Sequence, residues 1–325
     1  MKKIRVAING FGRIGRAFYK LAKEHKELEV IAVNDLGSIE SMAYLLKYDT
    51  VYGQSDATLD GVKYLSEKDA TKLPWKDLDI DVVVESTGLY TATDKAQVHI
   101  DAGAKRVVIT APIKDDASPT VLMGLNEKKL ADCKISSNAS CTTNAGSPLI
   151  AILDEALGIE KALLNTVHAY TASQALVDGP SKKDVREGRA AAQNIVPSST
   201  GAAIAVTKVM PHLDGLFDGI SIRVPVAVGS IVDITFVSKK NTTAEEVNKI
   251  LKAAAGQEKW KGIFAVTEED LVSSDIKGNS HASIADLAFT RVVGGNLVKV
   301  LAWYDNEMGY THTLVRHVVE AGRLV

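Results

Sequence analysis

Cys141 sits in Ser137-Asn138-Ala139-Ser140-Cys141-Thr142-Thr143-Asn144, a hydroxyl-rich run between a strand-like segment and an apolar helical stripe, Leu149–Leu157. A thiol near a helix N-terminus feels the positive end of the backbone dipole, which favours the thiolate that attacks carbonyl carbon. Pro148 fits the first turn of that helix, where its missing N–H costs little. The competing reading is an inert, buried thiol, the usual state of a free cysteine. Cys133 fits that second reading better, having no comparable polar setting. His168 follows in Thr166-Val167-His168-Ala169-Tyr170-Thr171, where strand alternation puts Thr166, His168 and Tyr170 on one face. An imidazole titrating near neutrality can take a proton from a thiol or a substrate hydroxyl, although most strand histidines are merely hydrogen-bonded. His25, His99, His212, His281, His312 and His317 have no comparable context and read as structural.

Three further patterns suit anions. Gly10, Phe11, Gly12, Arg13, Ile14 and Gly15 form G-x-G-x-x-G between a strand and an amphipathic helix, with Asp35 ending the next strand about twenty residues on. Gly10 permits the tight turn, Gly12 lets a diphosphate approach the backbone, and Gly15 lets the helix pack on the sheet, while the helix N-terminus supplies N–H groups. The Asp35 carboxylate would accept ribose hydroxyls and repel a 2′-phosphate, which favours NAD. Ser86, Thr87 and Gly88 make a second turn at a strand end, either lining the same cleft or simply joining strand to helix. Ser198-Ser199-Thr200-Gly201 opens another helix with hydroxyls and free N–H groups. On the strand Gly219–Val228, Ile220, Ile222, Val224, Val226 and Val228 share one face, so Arg223 is on the other, as a bidentate phosphate ligand or as a solvated surface arginine.

These residues need a two-part scaffold. At 325 residues, with 46% hydrophobic and 24% charged positions, the chain has the composition of a globular protein with about two domains. Its net charge of -2 argues against nucleic acid as the main partner, two cysteines supply neither a disulfide framework nor a metal site, and no apolar run is long enough for a membrane helix. The expected compartment is the cytoplasm, without processing. Strand signals at Ile4–Asn9, Glu29–Asn34, Asp81–Ser86, Arg106–Thr110, Val121–Leu125 and Lys134–Asn138 alternate with helices, as in a parallel sheet. Later strands, Leu163–Thr171, Gly219–Val228, Ser230–Ser238, Ala285–Arg291 and Leu297–Tyr304, run with fewer helices (Leu149–Leu157, Ala202–Met210, Ala244–Ala255). The expected fold is α/β: an N-terminal Rossmann dinucleotide-binding domain over 1–140, plus an α+β catalytic domain over 141–305 with a mixed or antiparallel sheet. The tail, 306–325, reads as a helix that periodicity alone assigns to neither domain.

Together the motifs "INGFGRIGR", "VND", "ESTG", "SNASCTTN", "TVHAYT", "SSTGAA", "RVP", "SSD" and "WYDNEMGY" run in order along nearly the whole chain. In this the chain resembles the phosphorylating glyceraldehyde-3-phosphate dehydrogenases. The resemblance implies that Cys141 attacks the aldehyde of glyceraldehyde 3-phosphate, His168 acts as base, NAD takes the hydride, and inorganic phosphate releases 1,3-bisphosphoglycerate from the thioester. It implies Thr171 and Arg223 at the substrate phosphate, and Ser140, Thr142, Thr200 and Gly201 at the attacking phosphate. It further implies Asn306 at the nicotinamide, a last helix packed on the cofactor domain, and a homotetramer. Ala145, Ser173, Met308 and "RVPVAVGS" depart from frequent family patterns, and the resemblance leaves open whether Arg186 or Arg189 assists a phosphate. Two alternatives remain at this stage. One is the sister activity on erythrose 4-phosphate, and the other is a non-catalytic NAD-responsive or thiol-sensing binding protein.

Overall fold

The computed structural model describes residues 2–181 and 184–325. The chain divides into two compact units, Met1–Ser140 with Thr311–Val325, and Cys141–Tyr310.

The first unit begins with β1 (Ile4–Asn9), α1 (Arg13–Glu24), β2 (Leu28–Asn34) and α2 (Ile39–Lys47). A two-strand ribbon, β3 (Tyr48–Asp49) and β4 (Gly53–Gln54), leads to β5 (Lys63–Leu65). Then come β6 (Val82–Glu85), α3 (Thr93–Asp101), β7 (Arg106–Ile109) and β8 (Ile135–Ser137). Six strands form one all-parallel sheet in the order β5-β2-β1-β6-β7-β8. Every residue of β6 is buried, which is why these strands are apolar runs without alternation. The chain builds outward from β1 and then returns to start again at β6, so the order reverses between them. In such sheets ligands sit beyond the strand ends at that reversal. Trp75, Ile80, Val83, Val107 and Ile109 belong to the buried cluster on the sheet. Full burial of side chains of this kind contributes about 1.5–3 kcal/mol each.

The expected strand Val121–Leu125 is absent. Thr120 makes a single bridge to Ser137, and the segment then turns at Gly124, whose φ is +82°. Asn126 replaces the ladder: its Oδ1 accepts from Leu122 N, and its Nδ2 donates to Thr120 O. Val121 and Leu122 are buried, so the apolar signal was real, but a side-chain amide satisfied the backbone.

The second unit holds α4 (Cys141–Leu157), β9 (Ile159–Ala169), β10 (Val196–Ser199), α5 (Ala202–Thr207), β11 (Phe217–Val224), β12 (Ser230–Ser238) and α6 (Ala244–Ala255). It ends with β13 (Phe264–Thr267), β14 (Ser283–Val293) and β15 (Leu297–Tyr304), before α7 (Met308–Gly322). The sheet order is β10-β11-β9-β12-β15-β14-β13, with parallel pairing at β9/β11 and β13/β14 and antiparallel pairing elsewhere. β11 stops at Val224, short of the expected Val228, because Pro225 has no N–H for a ladder. α5 stops at Thr207 rather than Met210.

α4 begins at Cys141, about two turns before the expected Leu149, and Pro148 lies inside it rather than in its first turn. Thr142 through Ser147 are small or polar yet all buried, so this stretch shows no apolar period to read. From Thr311 onward α7 belongs to the first unit. His317 bonds Ser136, Asn138 bonds Thr313, and Arg323 pairs with Glu27.

Candidate functional site

In the first unit the glycine turn lies where the sheet order reverses. Gly10 has φ of +92°, and a Cβ there would fall 2.7 Å from Thr87 N, so only glycine fits beside the β6 turn. A Cβ on Gly15 would fall 2.2 Å from Gly10 O, so α1 packs against the turn itself. At Gly12 a Cβ would meet nothing within 4 Å, and Gly12 caps α1 with no side-chain bond to its first N–H groups. That leaves an open backbone cradle of the kind a diphosphate fills.

The cleft is lined by Gly10, Gly12, Asp35, Ser86 and Thr87, and also by Asn9, Asn34, Glu67 and Tyr90, which sequence patterns did not single out. Asp35 Oδ2 accepts from Phe11 N at 2.7 Å and Oδ1 from Gly37 N at 2.9 Å, so this carboxylate also holds the turn. Ser86 donates to Gly10 O at 2.6 Å, and Gly88 has φ of +73°. Phe11 is fully buried and Arg13 pairs with Asp49 at 2.6 Å, so both support the loop from within or beside it. Ile14 is half-buried on α1.

In the second unit Cys141 is the first residue of α4, and its Sγ lies 3.3 Å from His168 Nε2 on β9. Parallel register sets Arg223 of β11 directly beside His168, and its Nη1 lies 2.7 Å from His168 Nδ1. Arg223 does lie opposite Ile220, but Ile220 is the exposed side, so the apolar row faces outward and the arginine inward. The surface-arginine reading is thereby removed.

The electrostatics differ from the expectation. Burial pushes the Cys141 thiol up, and this outweighs the downward pull of Arg223 and of hydrogen bonds from Thr142 and the backbone at the helix start. His168 is pushed down to about 3, first by burial and then by Arg223, against a raising contact with Ala169. Burial thus works against charge on both groups, while the 3.3 Å approach places Cys141 Sγ to pass its proton to His168 Nε2 during attack.

Tyr304 closes the site from beneath. Thr166 donates to Ile231 O at 3.1 Å, so Tyr304 donates to Thr166 at 2.7 Å, and its oxygen lies 3.0 Å from the Thr142 hydroxyl. This chain ties the start of α4 to β9, fixing sulfur against imidazole. Inward alternation along β15 was the available signal for Tyr304. Asn306 is buried, and its Oδ1 accepts from Gly229 N and Ser230 Oγ, which fixes its amide with the oxygen inward.

The phosphate candidates are more dispersed. Thr142 is buried with its hydroxyl at Tyr304. Thr171 bonds Ser173, and Thr200 accepts from Ala202 N at the start of α5, next to an exposed Gly201. Ser140 is half-buried, immediately before Cys141. Among the described residues none of Thr171, Thr200 or Gly201 bonds Cys141, His168 or Arg223. Arg186 and Arg189 pair with Asp184 and Asp178 on exposed loops. Cys133 is half-buried with its thiol pushed up by burial. Among the described residues no group of three or more His, Cys, Asp or Glu could hold a metal, and no helix is long and apolar enough to cross a membrane.

Comparison with known proteins adds names to this geometry. Residues 4–93 match the family described as "Glyceraldehyde 3-phosphate dehydrogenase, NAD binding domain", and residues 140–306 match its C-terminal domain. The chain is 47% identical to glyceraldehyde-3-phosphate dehydrogenase B of Aspergillus oryzae over 323 residues, 96% of each chain. It is 48% identical to glyceraldehyde-3-phosphate dehydrogenase 2 of Saccharomyces cerevisiae over 98% of this chain and 100% of that one. With glyceraldehyde-3-phosphate dehydrogenase of Streptomyces coelicolor it shares 46% identity over 98% of each.

Proposed function

The chain belongs to the glyceraldehyde 3-phosphate dehydrogenase family, and on that premise we propose that it oxidises glyceraldehyde 3-phosphate with NAD through a thioester on Cys141, then transfers the acyl group to inorganic phosphate as 1,3-bisphosphoglycerate. The observation that carries this reading is the 3.3 Å approach of Cys141 Sγ to His168 Nε2.

Sγ bonds the aldehyde carbon while Nε2 relays the thiol proton to the carbonyl oxygen, giving a thiohemiacetal. Nε2 then takes the hydroxyl proton back as the carbon is oxidised to the thioester. NAD, when bound, supplies the hydride acceptor. Gly10, Phe11, Gly12, Arg13, Ile14 and Gly15, with Asp35, Ser86, Thr87 and Gly88, would hold it, and the open space at Gly12 fits a diphosphate. Asn306 would contact the nicotinamide. Phosphate attack on the thioester expels the thiolate, which recovers its proton from the imidazolium.

Thr171 and Arg223 are the proposed ligands of the substrate phosphate. Ser140, Thr142, Thr200 and Gly201 are those of the attacking phosphate. A homotetramer in the cytoplasm completes the proposal. The outward face of the second sheet supports self-association, since Leu163, Ile220, Val293 and Leu297 are exposed apolar residues on it.

The test is NAD reduction by glyceraldehyde 3-phosphate with and without inorganic phosphate, with erythrose 4-phosphate alongside. Turnover should depend on phosphate and favour the three-carbon substrate. Cys141→Ser should lower turnover by more than about 10³-fold while NAD still binds. Undiminished turnover without phosphate would overturn the acyl-phosphate step.

A further inference from the structure

Asp35 follows β2 and opens a short turn, Asp35-Leu36-Gly37-Ser38, that leads into α2. Its own carboxylate folds the turn: Oδ2 accepts from Phe11 N at 2.7 Å and Oδ1 from Gly37 N at 2.9 Å. A carboxylate has roughly four lone-pair sites, so these two bonds leave room for ribose hydroxyls. Where the remaining sites point depends on the Gly37 backbone, and little packing fixes it. Leu36 is 62% exposed, and Gly37 has no side chain to bury. Tyr64 on the edge strand β5 supplies a tether. β5 pairs with the end of β2, Val33 against Tyr64 and Asn34 against Leu65, and Asp35 N donates to Leu65 O at 3.1 Å. The Tyr64 hydroxyl then donates to Gly37 O at 2.7 Å. A Cβ at Gly37 would fall 2.5 Å from Met42 Cε, so α2 also abuts the turn.

We propose that Tyr64 is a positioning residue for cofactor selection: through Gly37 O it fixes the direction of the Asp35 carboxylate, and thereby the preference for a free ribose 2′-hydroxyl over a 2′-phosphate. A carboxylate held in place accepts the hydroxyl and repels the phosphate. One that is free to swing loses the first interaction and relaxes the second. Asp35 does not hold its direction by its own bonds alone. Gly37 N–H, one of its two donors, belongs to the same residue as the tethered carbonyl, so releasing the carbonyl frees the donor. Tyr64 stays a donor throughout the neutral range, because burial and then the charges of Asp35 and Glu40 push its hydroxyl up to about 12. The residue acts through Asp35 and not on the reacting atoms, so its loss changes which dinucleotide is held and not the rate once it is held. This deepens the proposed function and rests on the assignment of Asp35 to the ribose.

The test is steady-state turnover of the full chain with NAD and with NADP, for the wild type, Tyr64→Phe and Asp35→Asn, with ADP-ribose binding by calorimetry as a second readout. Tyr64→Phe should raise KM for NAD about 2–10-fold, the equivalent of one neutral hydrogen bond, with kcat unchanged. ADP-ribose, which lacks the nicotinamide, should weaken by the same factor. NADP should not weaken, so the preference for NAD falls by that factor too. A residue that merely packs the cleft would weaken both cofactors alike, and that result overturns the proposal, as does an unchanged KM. Asp35→Asn reads the underlying assignment separately and should lower the preference for NAD by more than Tyr64→Phe does. A lowered preference in Asp35→Asn with none in Tyr64→Phe overturns the role of Tyr64 and leaves Asp35 at the ribose. An unchanged preference in Asp35→Asn overturns the ribose assignment and the role of Tyr64 with it. Either result leaves phosphate-dependent turnover and the Cys141→Ser loss intact, so the thioester reading stands apart from both.

Discussion

His99 in the first unit and His168 in the second are both buried imidazoles with a neighbour at each ring nitrogen. Around His99 the bonding has one solution. Trp75 Nε1 can only donate, and it lies 3.1 Å from Nδ1, so the ring proton is on Nε2, which donates to Glu85 Oε2 at 2.9 Å. Asn9 Nδ2 donates to the same oxygen at 2.6 Å, and Thr87 donates to Oε1 through both its N–H and its hydroxyl. Asn34 then donates to Asn9, and Glu67 N donates to Asn34. Every donor has one acceptor, and the network holds Asn9 and Thr87 at the cleft in a single arrangement. Around His168 a donor and an acceptor contest one nitrogen. The first is a fixed scaffold, whereas at the second the donor or acceptor role of Nδ1 is not fixed by its neighbours and Arg223 Nε is buried without a partner. Chemistry that moves a proton needs the second kind of site, and a cofactor cradle needs the first.

Four substitutions or conditions sharpen or break this contrast. The largest effect belongs to His168→Asn, which should lower kcat by about 10²–10⁴-fold with the melting temperature little changed, as measured by steady-state assay and calorimetry. A full loss of folding would instead make His168 scaffold, like His99. Glu85→Gln should do the reverse, since it sets an NH₂ against donors in a sealed network. We expect about 2–3 kcal/mol less stability in urea unfolding and weaker NAD binding, with kcat at saturation nearly kept.

The third test is pH. His317 and His168 are pushed down to about 3, by burial for His317 and by burial followed by Arg223 for His168. The unfolded chain therefore binds more protons below about pH 6.5, and stability present above that value is lost as pH falls toward 3. Each histidine steepens the loss by up to about 1.4 kcal/mol per pH unit. His317→Gln should flatten the slope of unfolding free energy between pH 6 and 4.5, and an unchanged slope would show that His317 does not contribute. The smallest effect is at the exposed His212–Asp154 pair, 2.6 Å apart. His212→Ala should cost less than about 1 kcal/mol and leave turnover unchanged.

Residue types and spacing made much of the site legible. Gly10, Gly12, Gly15 and Asp35 follow from a pattern whose physics is local, because strand, turn and helix lie within one short stretch. Cys141 and His168 stood out by their polar settings, and strand alternation put Arg223 on the correct face. Other features were hidden. The first two turns of α4 are built from buried threonine, asparagine and glycine, whose burial is imposed by neighbours and leaves no apolar period. Asn126 satisfied a backbone that otherwise reads as strand. Glu85 read as a residue near a strand end and His99 as a structural histidine, and only their meeting with Asn9 and Trp75 shows what they support.

By itself the chain's sequence determined which groups were present and which way most of them faced, since face is set by a period of two or 3.6 residues along one element. The folded protein decided which groups meet. β9 and β11 are far apart along the chain, and only their parallel register sets Arg223 beside His168. The same holds for the acidity of Cys141, which the helix start would lower and the surrounding interior raises. Periodicity is a property of one segment, whereas contact and desolvation are properties of everything packed around it.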